Sequence, residues 1–206
     1  MSFDRPRTFG DLCAFYNKEY RPLYDRFFSA GASAQELHTE VAAGIDHLFS
    51  RMSPDGEVPP DEIDKAAAHF KRATFDAFKI TYENEIRKPY DRLMDRRYAE
   101  VHDGKFRGEI TVLRNEARQI AQKARKNETL SRKTDSTKWG AAFDEWKKIL
   151  PFADEFARLE ASPEVVRAVK KSRMDRVLAV LFWLGTVLVS AFAGAFASRW
   201  VSSLNI

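Results

Sequence analysis

The residues that most often hold metal ions are few in this chain and widely separated. It has four histidines, His38, His47, His69 and His102, and one cysteine, Cys13, and their spacing matches no zinc-binding pattern. No histidine has a glutamate three positions before it, so the Glu-x-x-His pairs of a di-iron bundle are absent. The sequence also lacks a glycine-rich phosphate loop and a nucleophile elbow. We therefore expect no metal and no cofactor.

One pair of residues has a spacing that is used in catalysis. Arg97 and His102 enclose the segment Tyr-Ala-Glu-Val near the end of a predicted helix. This Arg-x4-His spacing resembles that of the HEPN family of helical ribonucleases and toxins. The resemblance implies that His102 transfers protons and that Arg97 stabilises charge on the scissile phosphate, usually across a dimer. The alternative interpretation is a surface pair without chemistry, and on that interpretation the protein is not an enzyme.

Four arginines share one face of a helix that is predicted over Lys105 to Lys126. At 100° per residue they lie within about 20° of one line, beside the apolar stripe of the same helix. They are Arg107, Arg114, Arg118 and Arg125. Guanidinium groups bind phosphates and carboxylates, so the row could bind RNA, an anionic lipid or an acidic protein partner. The alternative, which we favour, is pairing within the chain with acidic residues such as Asp61, Glu62 and Asp64, because residues 1–162 contain 28 basic and 28 acidic side chains.

The C-terminal part of the chain indicates a membrane protein. From Val177 to Ala197 the sequence runs for 21 residues without an ionisable side chain. A helix of that length is roughly 31 Å long and matches the hydrocarbon core of a bilayer. The sequence predicts a transmembrane helix over 177–198 and a short tail over 199–206.

A group of basic residues precedes this apolar segment, within a predicted juxtamembrane helix over 163–176. It consists of Arg167, Lys170, Lys171, Arg173 and Arg176. Only Arg199 follows the segment, so the positive-inside rule predicts that 1–162 is cytoplasmic and that the tail lies outside the cell (inner) membrane. The basic group could also bind lipid headgroups, although a plain topology signal explains the same residues. No apolar leader is predicted at the start of the sequence, and a lone cysteine fits a reducing compartment.

Small and weakly polar residues repeat every four positions along the predicted membrane helix. They are Thr186, Ser190, Gly194 and Ser198. Such a ridge lets helix backbones approach closely, so we expect the protein to form a homo-oligomer. A pore lined by Thr186 and Ser190 is a further hypothesis, and it would require many subunits.

Apolar residues with helical periodicity predict an all-α bundle of about five helices over 1–162. We expect helices at about 8–28 (bent at Pro22), 33–52, 61–102 (bent near Pro89 and capped by Asp61) and 105–126, followed by a mobile loop over 127–137. A fifth helix then carries Trp139, Phe143, Trp146 and Leu150 on one face. These tryptophans could lie at a membrane interface, but neighbouring acidic residues favour a place in the core.

The first and third helices resemble each other in sequence. Residues 8–28 align without gaps to 74–94, and eight of the 21 positions are identical. The similarity indicates either a duplicated helical hairpin or two amphipathic helices of similar composition. The prolines of the two segments, Pro22 and Pro89, are offset by one position in this alignment.

Together these features predict a helical interaction or effector module that a C-terminal membrane helix anchors to lipid. It would couple a cytoplasmic signal or protein partner to the membrane. The alternatives are a membrane-tethered ribonuclease built on Arg97 and His102, which would act on RNA, and an oligomeric pore-forming effector.

Overall fold

The computed structural model describes residues 8–29, 35–95, 98, 101–133 and 138–203. These residues are almost entirely helical and include no strand, which confirms the all-α prediction. In chain order the α-helices are α1 (Phe9–Phe15), α2 (Arg21–Ser29), α3 (Gln35–Phe49), α4 (Pro60–Thr81), α5 (Lys88–Leu93), α6 (Phe106–Lys133), α7 (Lys138–Lys147), α8 (Leu150–Glu160) and α9 (Pro163–Ser203). Two π-helical segments, Tyr16–Tyr20 and Tyr82–Arg87, join α1 to α2 and α4 to α5, and a 3-10 turn covers Val101–Gly104.

Both π-helical segments lie immediately before a proline. Proline has no N–H, and its ring crowds the carbonyl four residues earlier, so a regular α-helix is disturbed there. The residue before each proline instead donates its N–H to the carbonyl five residues earlier. Arg21 does so before Pro22, and Lys88 does so before Pro89. The predicted bends thus take the form of local π-helical turns.

The two turns occupy matching positions in the alignment of 8–28 with 74–94. They begin at Tyr16 and Tyr82, which are paired in that alignment. The second turn has six residues and the first has five, and this difference accounts for the one-position offset between the prolines. The duplication itself stays a prediction.

Another identical pair of the alignment, Arg26 and Arg92, binds the same helix. Arg26 Nη1 lies 2.9 Å from Asp154 Oδ1, and Arg92 Nε lies 2.8 Å from Glu160 Oε1. Both carboxylates belong to α8, so α8 is held at two points by the segments that follow the kinks.

The core is built from aromatic side chains of α4 and α7. Trp146 is 0% exposed and stacks on Phe78, with ring centroids 6.2 Å apart, and Trp139 stacks on Phe75 at 4.9 Å. The prediction that these tryptophans pack in the core, away from a lipid interface, is therefore confirmed for Trp146. Trp139 is half-buried against the same core.

Helices α3 and α4 form an antiparallel pair that is linked by two histidine–carboxylate contacts. His47 Nδ1 lies 2.8 Å from Glu62 Oε2, and His69 Nδ1 lies 2.8 Å from Glu40 Oε2. The helices approach closely at Gly44, where a Cβ would come within 3.3 Å of Phe70. Hydrogen bonds from Arg72 and His69 outweigh the opposing effect of burial and hold the pKa of Glu40 below its usual range.

Several predicted boundaries are wrong. Helix α6 continues to Lys133, so residues 127–133 of the predicted mobile loop are helical, and 134–137 lie outside the described residues. Helix α4 begins at Pro60, with Pro59 at the N-cap position instead of Asp61. The third long helix ends at Leu93 and does not reach His102. The fifth helix, predicted to extend to Leu150, ends at Lys147, and Leu150 begins α8 after a turn at Lys148 and Ile149.

Candidate functional site

Helix α9 begins on the surface of the bundle. The side chain of Ser162 accepts a hydrogen bond from the N–H of Val165, and the proline at the first helical position has a φ angle suited to a helix start. Val165 is 3% exposed, and Ala168 and Val169 pack against the same core. The first two turns of α9 are therefore part of the folded domain.

The same helix then continues beyond the bundle as the apolar segment Val177–Ala197, which we call the apolar stalk. It has 41 residues, which corresponds to about 61 Å. The segment from Val177 to Ala193 is exposed along its whole length, and its large side chains include Phe182 at 75% and Trp183 at 63% exposure. Helix α9 is long and apolar enough to cross a membrane.

The basic residues predicted to precede the membrane lie on the exposed part of α9. Arg167 pairs with Glu164, with Nη2 and Oε1 3.3 Å apart. In contrast, Lys170, Arg173 and Arg176 are exposed, and within the described part of the chain none of the three lies within 4.0 Å of a carboxylate. Lys171 lies on the same exposed segment.

A groove of about 270 Å³ lies between α9 and the end of the bundle. Its apolar wall comes from Leu93 at the end of α5, Tyr98, and three valines of α9. Its polar lining is Glu160, Lys170 and Arg173. The complete lining is Leu93, Tyr98, Glu160, Val165, Val166, Val169, Lys170 and Arg173.

This groove was not predicted from the sequence, in which Lys170 and Arg173 belong to a linear basic group and the apolar wall opposite them is not apparent. The available signal was the pair Val165 and Val169, four residues apart within the basic segment, because this spacing places two apolar side chains on one helix face.

The predicted line of small residues lies on the apolar stalk. Thr186 and Ser190 are exposed, and the Thr186 hydroxyl donates to the carbonyl of Trp183 at 2.7 Å. Gly194 and Ser198 continue the same helix, and the Ser198 side chain lies outside the described part of the chain. The Thr186 hydroxyl is thus satisfied within its own helix, so this line would favour close backbone contact over polar pairing.

The four arginines of α6 lie on one side of the helix, but among the described residues they do not form the expected pairs with acidic side chains. None of the row Arg107, Arg114, Arg118 and Arg125 lies within 4.0 Å of a carboxylate in the described ranges. Arg107 donates to the carbonyl of Met94 at 2.9 Å, and Arg114 and Arg125 lie over the rings of Tyr90 and Trp146 at 5.3 and 6.0 Å.

The expected carboxylate partners lie elsewhere in the structure. Asp61 and Glu62 bind Lys65 of their own helix, at 3.2 and 2.6 Å. Cation–π contacts and backbone carbonyls therefore replace the predicted ion pairs at three of the four arginines.

His102 lies in the 3-10 turn before α6, with a positive φ of 49°. Its Nδ1 lies 2.7 Å from Glu109 Oε2, and its ring packs edge-on against Phe106. Arg97, the other half of the Arg-x4-His pair, lies outside the described residues. Among the described residues no group of three metal-ligating side chains is found.

Comparisons with protein families, curated proteins and solved structures give no match to this chain.

Proposed function

We propose that this protein is a membrane-anchored helical interaction module that self-associates and couples a cytoplasmic partner or signal to the membrane. The observation that carries the proposal is the continuity of α9. One uninterrupted helix starts at Pro163, packs Val165 into the core and leaves the bundle as an apolar segment. A rotation or displacement of the bundle would then be transmitted directly to the segment in the membrane.

The proposed orientation places the bundle in the cytoplasm at the cell membrane. Lys170, Arg173 and Arg176 lie on the bundle side of the apolar stalk and carry no ion pair in the described ranges, so their positive charge opposes translocation. The neutral bundle contributes little to this bias, because 28 basic and 28 acidic residues balance within 1–162.

Self-association is proposed to occur through the small-residue face of the apolar stalk. Helices in lipid associate mainly through close van der Waals packing, which large side chains on the same face would prevent. The stalk is not covered by any other described residue, so this face is free to meet a second copy of the chain.

A pair of glycine substitutions tests this interface. Gly194 and Gly185 are nine residues apart, which places them on opposite faces of a helix at 100° per residue. We expect Gly194→Leu to dissociate the oligomer in mild detergent, as measured by light scattering of the purified full-length protein. Gly185→Leu makes the same chemical change outside the ridge and should preserve the oligomer. Equal oligomer size in both variants would contradict the proposed interface.

A membrane-tethered ribonuclease is the second candidate function, and the contact between His102 and Glu109 favours it. A carboxylate on Nδ1 holds an imidazole in a fixed orientation, as in many acid–base sites. This function predicts cleavage of single-stranded RNA by the full-length protein, with the activity lost in His102→Ala. An absence of cleavage by the wild-type protein would exclude it.

A further inference from the structure

We propose that the groove between α9 and the bundle binds the headgroup of an anionic phospholipid. This inference rests on the proposed membrane anchoring, because it assigns a lipid ligand to the part of α9 that would enter the membrane. The occupant would place its phosphate on Lys170 and Arg173 and the end of its headgroup, beyond the phosphate, against the valines of α9.

The charges of the groove favour an anion. Lys170 and Arg173 line it without a carboxylate within 4.0 Å in the described ranges. Glu160 also lines it, but both of its oxygens accept hydrogen bonds from Arg92, at 2.8 and 2.9 Å. The Glu160 charge is thus neutralised by a bidentate pair, and the groove keeps two uncompensated positive charges.

The position of the groove along α9 favours a lipid over a soluble anion. Arg173 precedes Val177 by four residues, or about 6 Å, and Lys170 precedes it by about 10 Å. The headgroup layer extends roughly 5 to 8 Å beyond the hydrocarbon core on each side of a bilayer. Arg173 therefore lies within that layer, and the backbone of Lys170 lies about 2 to 5 Å beyond it.

The small volume of the groove suits the polar end of a lipid and not a whole lipid molecule. Its volume of about 270 Å³ is below the range of roughly 300 to 1,000 Å³ that is typical of pockets for drug-sized ligands. The acyl chains would remain in the bilayer while the polar end of the lipid enters the groove. Val166, which is 40% exposed, lines the part of the groove farthest from the stalk, where it would contact the end of the headgroup.

The test uses the full-length protein, purified and delipidated in detergent, and measures bound lipid by native mass spectrometry during titration with phosphatidylglycerol. We expect Lys170→Gln/Arg173→Gln to weaken binding by at least about tenfold, since each basic residue near a lipid surface contributes roughly a factor of five. Phosphatidylcholine should bind markedly more weakly than phosphatidylglycerol to the wild-type protein.

Two controls separate the groove from the general charge of the segment. Arg167→Gln/Lys171→Gln removes the same charge from α9 outside the groove and should change binding by less than about threefold. Val166→Trp fills part of the groove without changing the charge and should weaken binding as much as the loss of the two cations. Equal losses in both charge variants, or unchanged binding in Val166→Trp, would overturn the assignment.

Competition with inorganic phosphate distinguishes a lipid from a free anion. We expect inorganic phosphate at about 10 mM to leave phosphatidylglycerol bound, because charge screening is still weak at an ionic strength on the order of 0.01 M. Displacement at that concentration would show a phosphate-ion site and overturn the lipid assignment. Membrane residence of the wild-type protein is measured separately by flotation, so failure of the anchor and failure of the groove give different results.

Discussion

Two arginines placed at the middle of the apolar stalk would test whether α9 resides in lipid. The segment Val177–Ala197 contains eleven Leu, Val and Phe residues. Each contributes roughly −0.3 to −0.6 kcal/mol to insertion, or about −3 to −7 kcal/mol together. An arginine near the helix centre costs roughly 2.5 to 3.5 kcal/mol. The change Leu184→Arg/Leu188→Arg therefore costs about 6 to 8 kcal/mol, which cancels the apolar gain.

The structure makes this perturbation specific to the membrane. Leu184 and Leu188 are exposed and lie on either side of the centre of the stalk, so their replacement removes no packing from the bundle. The assay is flotation of lysed cells on a density gradient, which separates membrane-bound protein from aggregates. We expect the wild-type protein to float with membranes and the double variant to remain at the bottom in soluble form.

A charge-matched control keeps the interpretation unambiguous. Gln119 and Gln122 are exposed on α6, and their replacement by arginine adds the same charge to the bundle. This control should still float. The reasoning would be refuted if the wild-type protein failed to float without detergent, or if the double variant floated as efficiently as the wild type.

Three further predictions concern the bundle. Trp146→Ala removes a fully buried ring that stacks on Phe78. It should lower the free energy of unfolding, measured by urea denaturation, by about 3 to 5 kcal/mol. A loss below about 1 kcal/mol would contradict the place of Trp146 in the core. Hydrogen bonds from Lys123 and Lys148 lower the pKa of Glu145, so its contribution to stability is present above the unfolded pKa of about 4.3 and is lost as pH falls through the folded pKa. Thermal melts of Glu145→Gln should therefore show a smaller loss of stability below about pH 4.3 than the wild type, and parallel curves would contradict this. If the protein is an interaction module without ribonuclease activity, His102→Ala should leave both RNA and oligomer size unchanged, whereas loss of a wild-type cleavage activity would favour the second candidate.

The long helices could be predicted from the sequence because their apolar residues repeat with helical spacing. The extension of α6 could not, because its last two turns are polar by composition. Glu128 is 5% exposed in the structure and pairs with Lys79 of α4 at 2.9 Å. A polar segment that is buried by contact with a residue 49 positions away has the same composition as a loop, so composition alone does not distinguish the two.

For the candidate sites too, the features that depend on neighbouring residues were predictable from the sequence, and those that depend on tertiary contacts were not. The linear basic segment before Val177 was evident from the sequence, whereas the groove needs α5, α8 and α9 to come together. The arginine row of α6 was correctly placed on one face, but its partners were predicted wrongly. Charge balance pointed to carboxylates, and the tertiary structure instead places Tyr90 and Trp146 beside two of the guanidinium groups.

Helix α9 is unbroken between Val165 and the stalk. The number of residues between the bundle and the bilayer therefore fixes how the bundle is rotated about the helix axis. Each residue inserted between Arg173 and Val177 would turn the bundle by about 100° around the axis of the stalk and raise it by about 1.5 Å. Seven inserted residues would restore the orientation to within about 20° while lifting the bundle by about 10 Å. Length changes in this segment would therefore be tolerated or rejected according to helical phase, unlike those in a flexible tether, where only reach matters.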